Sequence, residues 1–191
     1  MGFLDALRGK KKLRQPAADR LFAMSTAYVT LQEELALRST GKAAIVFQPL
    51  GTADFDAIVA DMEEVLAATG EESGTTITKT DDSFGYRWMV LGDPDMEDLV
   101  VGLNAVNEAL KAGGYGDRIL AALFPFADAR TGQPVHWIYN VKRGTFYPFV
   151  PAGGEQSRDN ERELRLKARM ERELPIEEDL GRWFPLWDVP L

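Results

Sequence analysis

Between residues 75 and 142 the hydrophobic period runs from two to 3.6 and back to two, and few folds accommodate that order. The stretch "TTITKT" (75–80) alternates β-branched residues, and "DDSFG" (81–85) is turn chemistry. "YRWMVL" (86–91) resumes the alternation, with Tyr86, Trp88 and Val90 on one face and Met89 and Leu91 on the other. Apolar on both sides, this strand is expected inside a sheet rather than at its edge. A helix follows in "DPDMEDLVVGLNAVNEALKAGG" (93–114). Asp93 reads as its cap and Pro94 as its first helical residue, with Asp95, Glu97 and Asp98 complementing the positive helix end. Met96, Leu99, Leu103, Val106 and Leu110 form its buried stripe, and Gly113 or Gly114 stops it. "RILAALFPF" (118–126) and "PVHWIYNVK" (134–142) are two further strands around the turn "ADARTGQ".

Strand, strand, helix, strand, strand is the order of an antiparallel sheet, since a parallel series alternates its strands singly with helices. The short apolar run "AAIVF" (43–47) supplies another strand. The expected class is therefore α+β, an antiparallel sheet of about five strands with helices packed on it. Leu21, Met24, Tyr28, Leu31 and Leu35 predict a helix within 17–39, ahead of Gly41. Thr52 is positioned to cap another, carrying Phe55, Ile58 or Val59, Met62 and Leu66 and stopping at Gly70.

Three regions are expected: a basic amphipathic segment over 1–16, an α+β core over 17–151, and a C-terminal helix with an aromatic tail packing on that core over 152–191. In that last helix, "ERELRLKARMEREL", Glu161 with Arg165 and Glu163 with Lys167 are spaced for ion pairs on a mostly solvated surface.

Charge divides the chain in the same way. Residues 1–16 carry a net +4, whereas the remaining 175 residues carry −12. An acidic body argues against nucleic-acid binding, which needs a basic face. The absence of cysteine excludes thiolate chemistry and disulfides, and suits a reducing cytoplasm. No apolar run reaches the ~18 residues of a membrane span, and the leading "MGFLDALRGKKK" reverses the charge order of a secretory signal. A cytoplasmic location follows, with peripheral contact at the inner face of the membrane as one option. Phe3, Leu4 and Leu7 beside Lys10, Lys11 and Lys12 suit an anionic membrane surface, and equally a solvated or body-docked terminus.

Catalysis has little to work with. His136 is the one histidine, placed on a strand face with Ile138 and opposite Trp137 and Tyr139. No nucleophile or metal spacing accompanies it. The carboxylate clusters are explained by turns, helix ends and solvated segments. The expectation is a protein that is not an enzyme and holds no cofactor or metal.

Recognition has more. "YNVKRGTFYPFVP" (139–151) places Lys142 and Arg143 at a glycine turn and then Tyr147 and Phe149 on an extended stretch. Pro148 confines that stretch to a sheet edge or a strap. Exposed aromatics beside an arginine are frequent interface anchors, while a packed strap is the structural alternative. Trp183, Phe184 and Trp187 near the C-terminus pose the same choice between docking and awaiting a partner.

"MGFLDALRG", "AVNEALKAGGYG", "YNVKRGTFYPFVP", "GGEQSRDNERELRL" and "LPIEEDLGRWFPLW" together resemble the PspA-associated family written PspAB. The likeness implies a role beside PspA, the helical membrane-remodelling protein of envelope-stress (phage-shock) responses, and implies no catalytic residues. It points to an adaptor that binds a PspA-like protein through the residues just named, Arg143, Lys142, Tyr147, Phe149, Trp183, Phe184 and Trp187. A sensor module for a small ligand or peptide of the same system is the alternative.

Overall fold

The computed structural model describes residues 20–154 and 156–191. Among these residues seven strands build one antiparallel sheet: β1 (Leu37–Ser39), β2 (Lys42–Phe47), β3 (Thr76–Asp81), β4 (Arg87–Gly92), β5 (Ile119–Asp128), β6 (Pro134–Asn140) and β7 (Thr145–Phe149). Their spatial order is β3-β4-β2-β5-β6-β7. The class is thus α+β as expected, but with seven strands rather than about five.

β1 accounts for one of the additions. β2 covers only residues 119–123 of the ten-residue β5, so Phe126–Asp128 would present an open edge. β1 pairs with that overhang, Leu37 opposite Asp128 and Ser39 opposite Phe126. The helix expected across 17–39 stops correspondingly early. It runs from Met24 to Glu33 (α1), and Ala36 takes the left-handed φ of 54° that turns the chain into β1. Leu35 continues the apolar stripe beyond the end of the helix, whereas Leu37, two residues on, falls off it and marks the change of period.

α2 (Ala53–Ser73) and α3 (Met96–Ala112) join α1 on one face of the sheet, where α3 crosses β2, β4 and β5. Thr52 caps α2 as expected, accepting from the Phe55 N–H at 3.4 Å. Phe55 then meets Phe47 and Tyr115 edge to face, at 6.1 and 5.0 Å between ring centres. α2 does not stop at Gly70; it continues to Ser73, and Gly74 provides the left-handed cap at φ 88°. Gly70 serves another purpose, since a Cβ there would collide with the Thr75 carbonyl where the chain folds back into β3.

In α3 the cap is Asp95 rather than Asp93, and Pro94 lies before the helix. The Asp95 carboxylate accepts from the Glu97 N–H at 2.8 Å, while Asp93 accepts from the Asp95 N–H and the Thr75 hydroxyl. Met96, Leu99, Leu103, Val106 and Leu110 are all buried as their spacing predicts. Each is worth about 1.5–3 kcal/mol when withdrawn from water.

β7 forms the far edge of the sheet, and its outward N–H groups are satisfied. Phe146 donates its N–H to the Pro175 carbonyl and accepts from the Glu177 N–H, both at 2.8 Å. Pro148, two residues on, has no N–H to leave unpaired. Val150 donates to the buried Glu163 carboxylate at 2.9 Å. The proline therefore sits where a missing donor costs nothing, next to an edge closed by the C-terminal segment.

Glu163 lies on α4 (Asn160–Met170), which is shorter than the 161–174 pattern suggested. The Glu161–Arg165 pair forms at 3.3 Å. The expected Glu163–Lys167 pair does not: Glu163 turns inward to Arg158 and Val150, and Lys167 pairs with Glu178. Pairing chosen by burial replaced pairing chosen by helical spacing.

Candidate recognition groove

The sheet face away from α1–α3 carries Trp88 on β4, Val46 on β2, Ala121 on β5 and Tyr147 on β7. Among the described residues no helix covers this strip. The C-terminal tail crosses part of it and leaves a groove of about 480 Å³ beside itself. One wall is the β3–β4 turn with Phe84 and Tyr86, and the other is the tail from Phe184 to Trp187. Leu120 also projects into it: the pairing of β2 with β5 slips between Val46 and Phe47, so Leu120 is the extra residue of a bulge. Asn140 and Lys142 close the end of the groove at the β6–β7 turn.

The groove is apolar in its floor and polar at its ends. Asp82 accepts from the Trp88 indole N–H at 2.9 Å and from the Phe84 and Tyr86 backbone N–H groups, also at 2.9 Å. Burial pushes the Asp82 carboxyl up, but those donors outweigh it and hold it below the ordinary carboxylate range. It is therefore a fixed negative charge that stiffens the turn bearing Phe84. Phe84 and Phe184 remain about two-thirds exposed, at 67% and 62%, on opposite walls, and Leu120 is exposed between them. Large apolar side chains clustered round an apolar cleft mark interaction surfaces.

The tail that forms one wall is held by directed contacts. Tyr147 stacks on Trp183 at 6.0 Å and donates its hydroxyl to the Phe184 carbonyl at 3.0 Å. Burial pushes that hydroxyl's pKa up, so it stays a donor. The Trp183 indole donates to the Glu177 carbonyl at 2.9 Å, and Arg158 donates to the Trp183 carbonyl at 2.8 Å. Trp187 meets Phe149 edge to face at 4.8 Å.

The residues singled out from the sequence separate by role. Lys142, Tyr147, Phe184 and Trp187 line the groove. Phe149 and Trp183 are buried beneath it and support the tail. Arg143 turns away: its guanidinium pairs with Glu177, which also accepts from the Thr145 hydroxyl at 3.1 Å. Burial pushes the Glu177 carboxyl up, yet Arg143, the Asp179 N–H and Thr145 together hold it below the usual range. The turn glycine Gly144 takes the expected positive φ, at 66°. Phe3, Leu4, Leu7, Lys10, Lys11 and Lys12 lie outside the described residues. Sequence reasoning missed Phe84, Tyr86, Trp88 and Leu120 as groove residues. An aromatic at the tip of the "DDSFG" turn was the available signal for Phe84; the bulge at Leu120 had none.

His136 lies on this same face, on the side with Ile138 that alternation indicates. It is buried, stacks on Phe149 at 6.0 Å, and burial pushes its imidazole down to about 4.

A model of the family PspAB, PspA associated protein B, matches residues 1–191, the whole chain. The chain belongs to this family. Neither the curated proteins nor the solved structures contain a match to it. Membership supports a PspA-associated role. Among the described residues no helix is long and apolar enough to cross a membrane.

Proposed function

We propose that this PspAB protein is a non-catalytic adaptor of an envelope-stress response that seats an amphipathic helix of a PspA-like partner in the groove. The observation that carries the reading is the facing pair Phe84 and Phe184 over an apolar floor, with Lys142 at one end and Asp82 at the other. A helix laid in such a cleft inserts apolar side chains at i, i+3, i+4 and meets the terminal charges with its polar flanks. A buried neutral imidazole stacked on a phenylalanine suits packing rather than proton transfer, which supports a role without catalysis. The acidic body supports a protein rather than a nucleic-acid partner. A cytoplasmic setting, with contact at the membrane surface through residues 1–16, belongs to the same proposal.

The test is a titration of the purified protein with its PspA-like partner in solution. Saturable binding is expected, weakened roughly tenfold or more when Phe84→Ser and Phe184→Ser are combined, as for central aromatic anchors. An unchanged affinity in a folded double variant sinks the groove as the contact. A second reading, a sensor for a small ligand or peptide, is favoured by the groove's volume of about 480 Å³, inside the ~300–1,000 Å³ range of ligand sites.

A further inference from the structure

Residues 1–19 enter the described structure at Arg20, and that entry point is next to the groove. The Arg20 guanidinium donates to the carbonyls of Arg143 at 3.4 Å and Gly144 at 3.3 Å. These two residues directly follow Lys142, which closes the end of the groove. Thirteen residues separate Leu7 from Arg20. That length reaches ~20 Å as a helix and ~40 Å extended, so the apolar positions Phe3, Leu4 and Leu7 are within reach of the floor.

Charge points the same way. Residues 1–16 carry +4 against a body of −12. The turn that walls the groove presents Asp82 to it, whereas Asp81 points to the helix-covered face in an ion pair with Arg87. A segment with an apolar start and a run of cations matches an apolar cleft that carries the Asp82 carboxylate on an acidic body. Because it is tethered, it also acts at an effective concentration of about millimolar, so a weak intrinsic affinity suffices to hold it there.

We infer that the chain's own residues 1–16 occupy the groove, with Phe3, Leu4 and Leu7 over its floor and the cations Arg8 and Lys10–Lys12 toward Asp82. The segment then competes with whatever the groove receives. Leaving the groove frees the same apolar and basic residues for an anionic membrane surface, so self-occupancy couples partner access to membrane contact. The coupling to a partner rests on the adaptor reading; the docking itself does not.

The absence of cysteine makes the test direct. A single Ala6→Cys in the full chain, carrying a nitroxide label, is compared with the same label on a chain with Phe3→Asp, Leu4→Asp and Leu7→Asp. Terminal substitutions leave the folded body intact, which its amide spectrum checks. Docking predicts paramagnetic broadening of the Trp187 indole and the Leu120 and Phe184 signals in the labelled chain, lost in the triple variant. Equal spectra in the two chains overturn it. Partner titration separates the two proposals. With the groove about nine-tenths self-occupied, the triple variant gains roughly tenfold in partner affinity. Broadening without that gain keeps the docking and removes the groove as the partner's site.

Discussion

Replacing Glu163 by alanine tests how the edge of the sheet and the groove wall are held together. The Glu163 carboxylate is 2% exposed and accepts from the Val150 N–H at 2.9 Å and from Arg158 Nε at 3.0 Å. Arg158 in turn holds the Trp183 carbonyl and stands 5.3 Å over the Phe149 ring. Removing one member of a buried ion pair costs about 3–5 kcal/mol, because the other charge stays buried alone. The stranded Val150 N–H alone would cost about 1–3 kcal/mol, and the two penalties overlap. The expected loss is about 4 kcal/mol, or roughly 8–16 °C in Tm at the ~2–4 °C per kcal/mol typical of this chain length. Glu163→Gln keeps an acceptor for Val150 and should lose about half as much. Urea denaturation of the wild type, the two variants and the Arg158→Ala double-mutant cycle measures it. A Glu163→Ala loss under about 1 kcal/mol, or additive effects in the cycle, would refute this account of the edge.

Three further outcomes are expected. His136 is neutral in the fold down to about pH 4, whereas in the unfolded chain it takes up a proton below about 6.5. Stability is therefore lost as pH falls through that window, about 2 kcal/mol between pH 7 and 5, and His136→Leu should flatten this slope in denaturation series. Arg143→Ala should lower stability by about 1 kcal/mol, the half-exposed guanidinium being partly screened, and leave partner affinity nearly unchanged, since Arg143 serves Glu177. Calorimetry with a parallel binding titration separates the two effects. Gly70→Ala should cost about 1–3 kcal/mol in a thermal melt, because backbone at Thr75 cannot rotate aside as a side chain would.

The helix and strand pattern of residues 75–142 was legible because each element announces its own period. Trp88 and Val90 against Met89 and Leu91, or the α3 stripe, need only alternation and burial. The element ends were less so. Asp93 and Asp95 are equally good caps by residue type, and the choice fell to Asp95 once Asp93 was engaged by the Thr75 hydroxyl from the start of β3. β1 was hidden because Leu35 still extends the helix stripe up to the reversal at Ala36 and three residues are too few to show a period of two; the unpaired overhang of β5 decided it.

The groove was half visible. Lys142, Tyr147, Phe184 and Trp187 stood out by residue type, but Phe84 and Leu120 come from segments more than thirty residues apart. Arg143 pairs with Glu177, 34 residues away in sequence, a contact that no local pattern announces. The amino-acid sequence alone determined the class, the antiparallel order, the buried stripes and the acidic body, since these follow from local spacing and composition. Only tertiary structure decided which aromatics are floor, wall or core and which charges are spent internally. Those outcomes depend on which distant segment reaches a buried donor or acceptor first, and no local period carries that information.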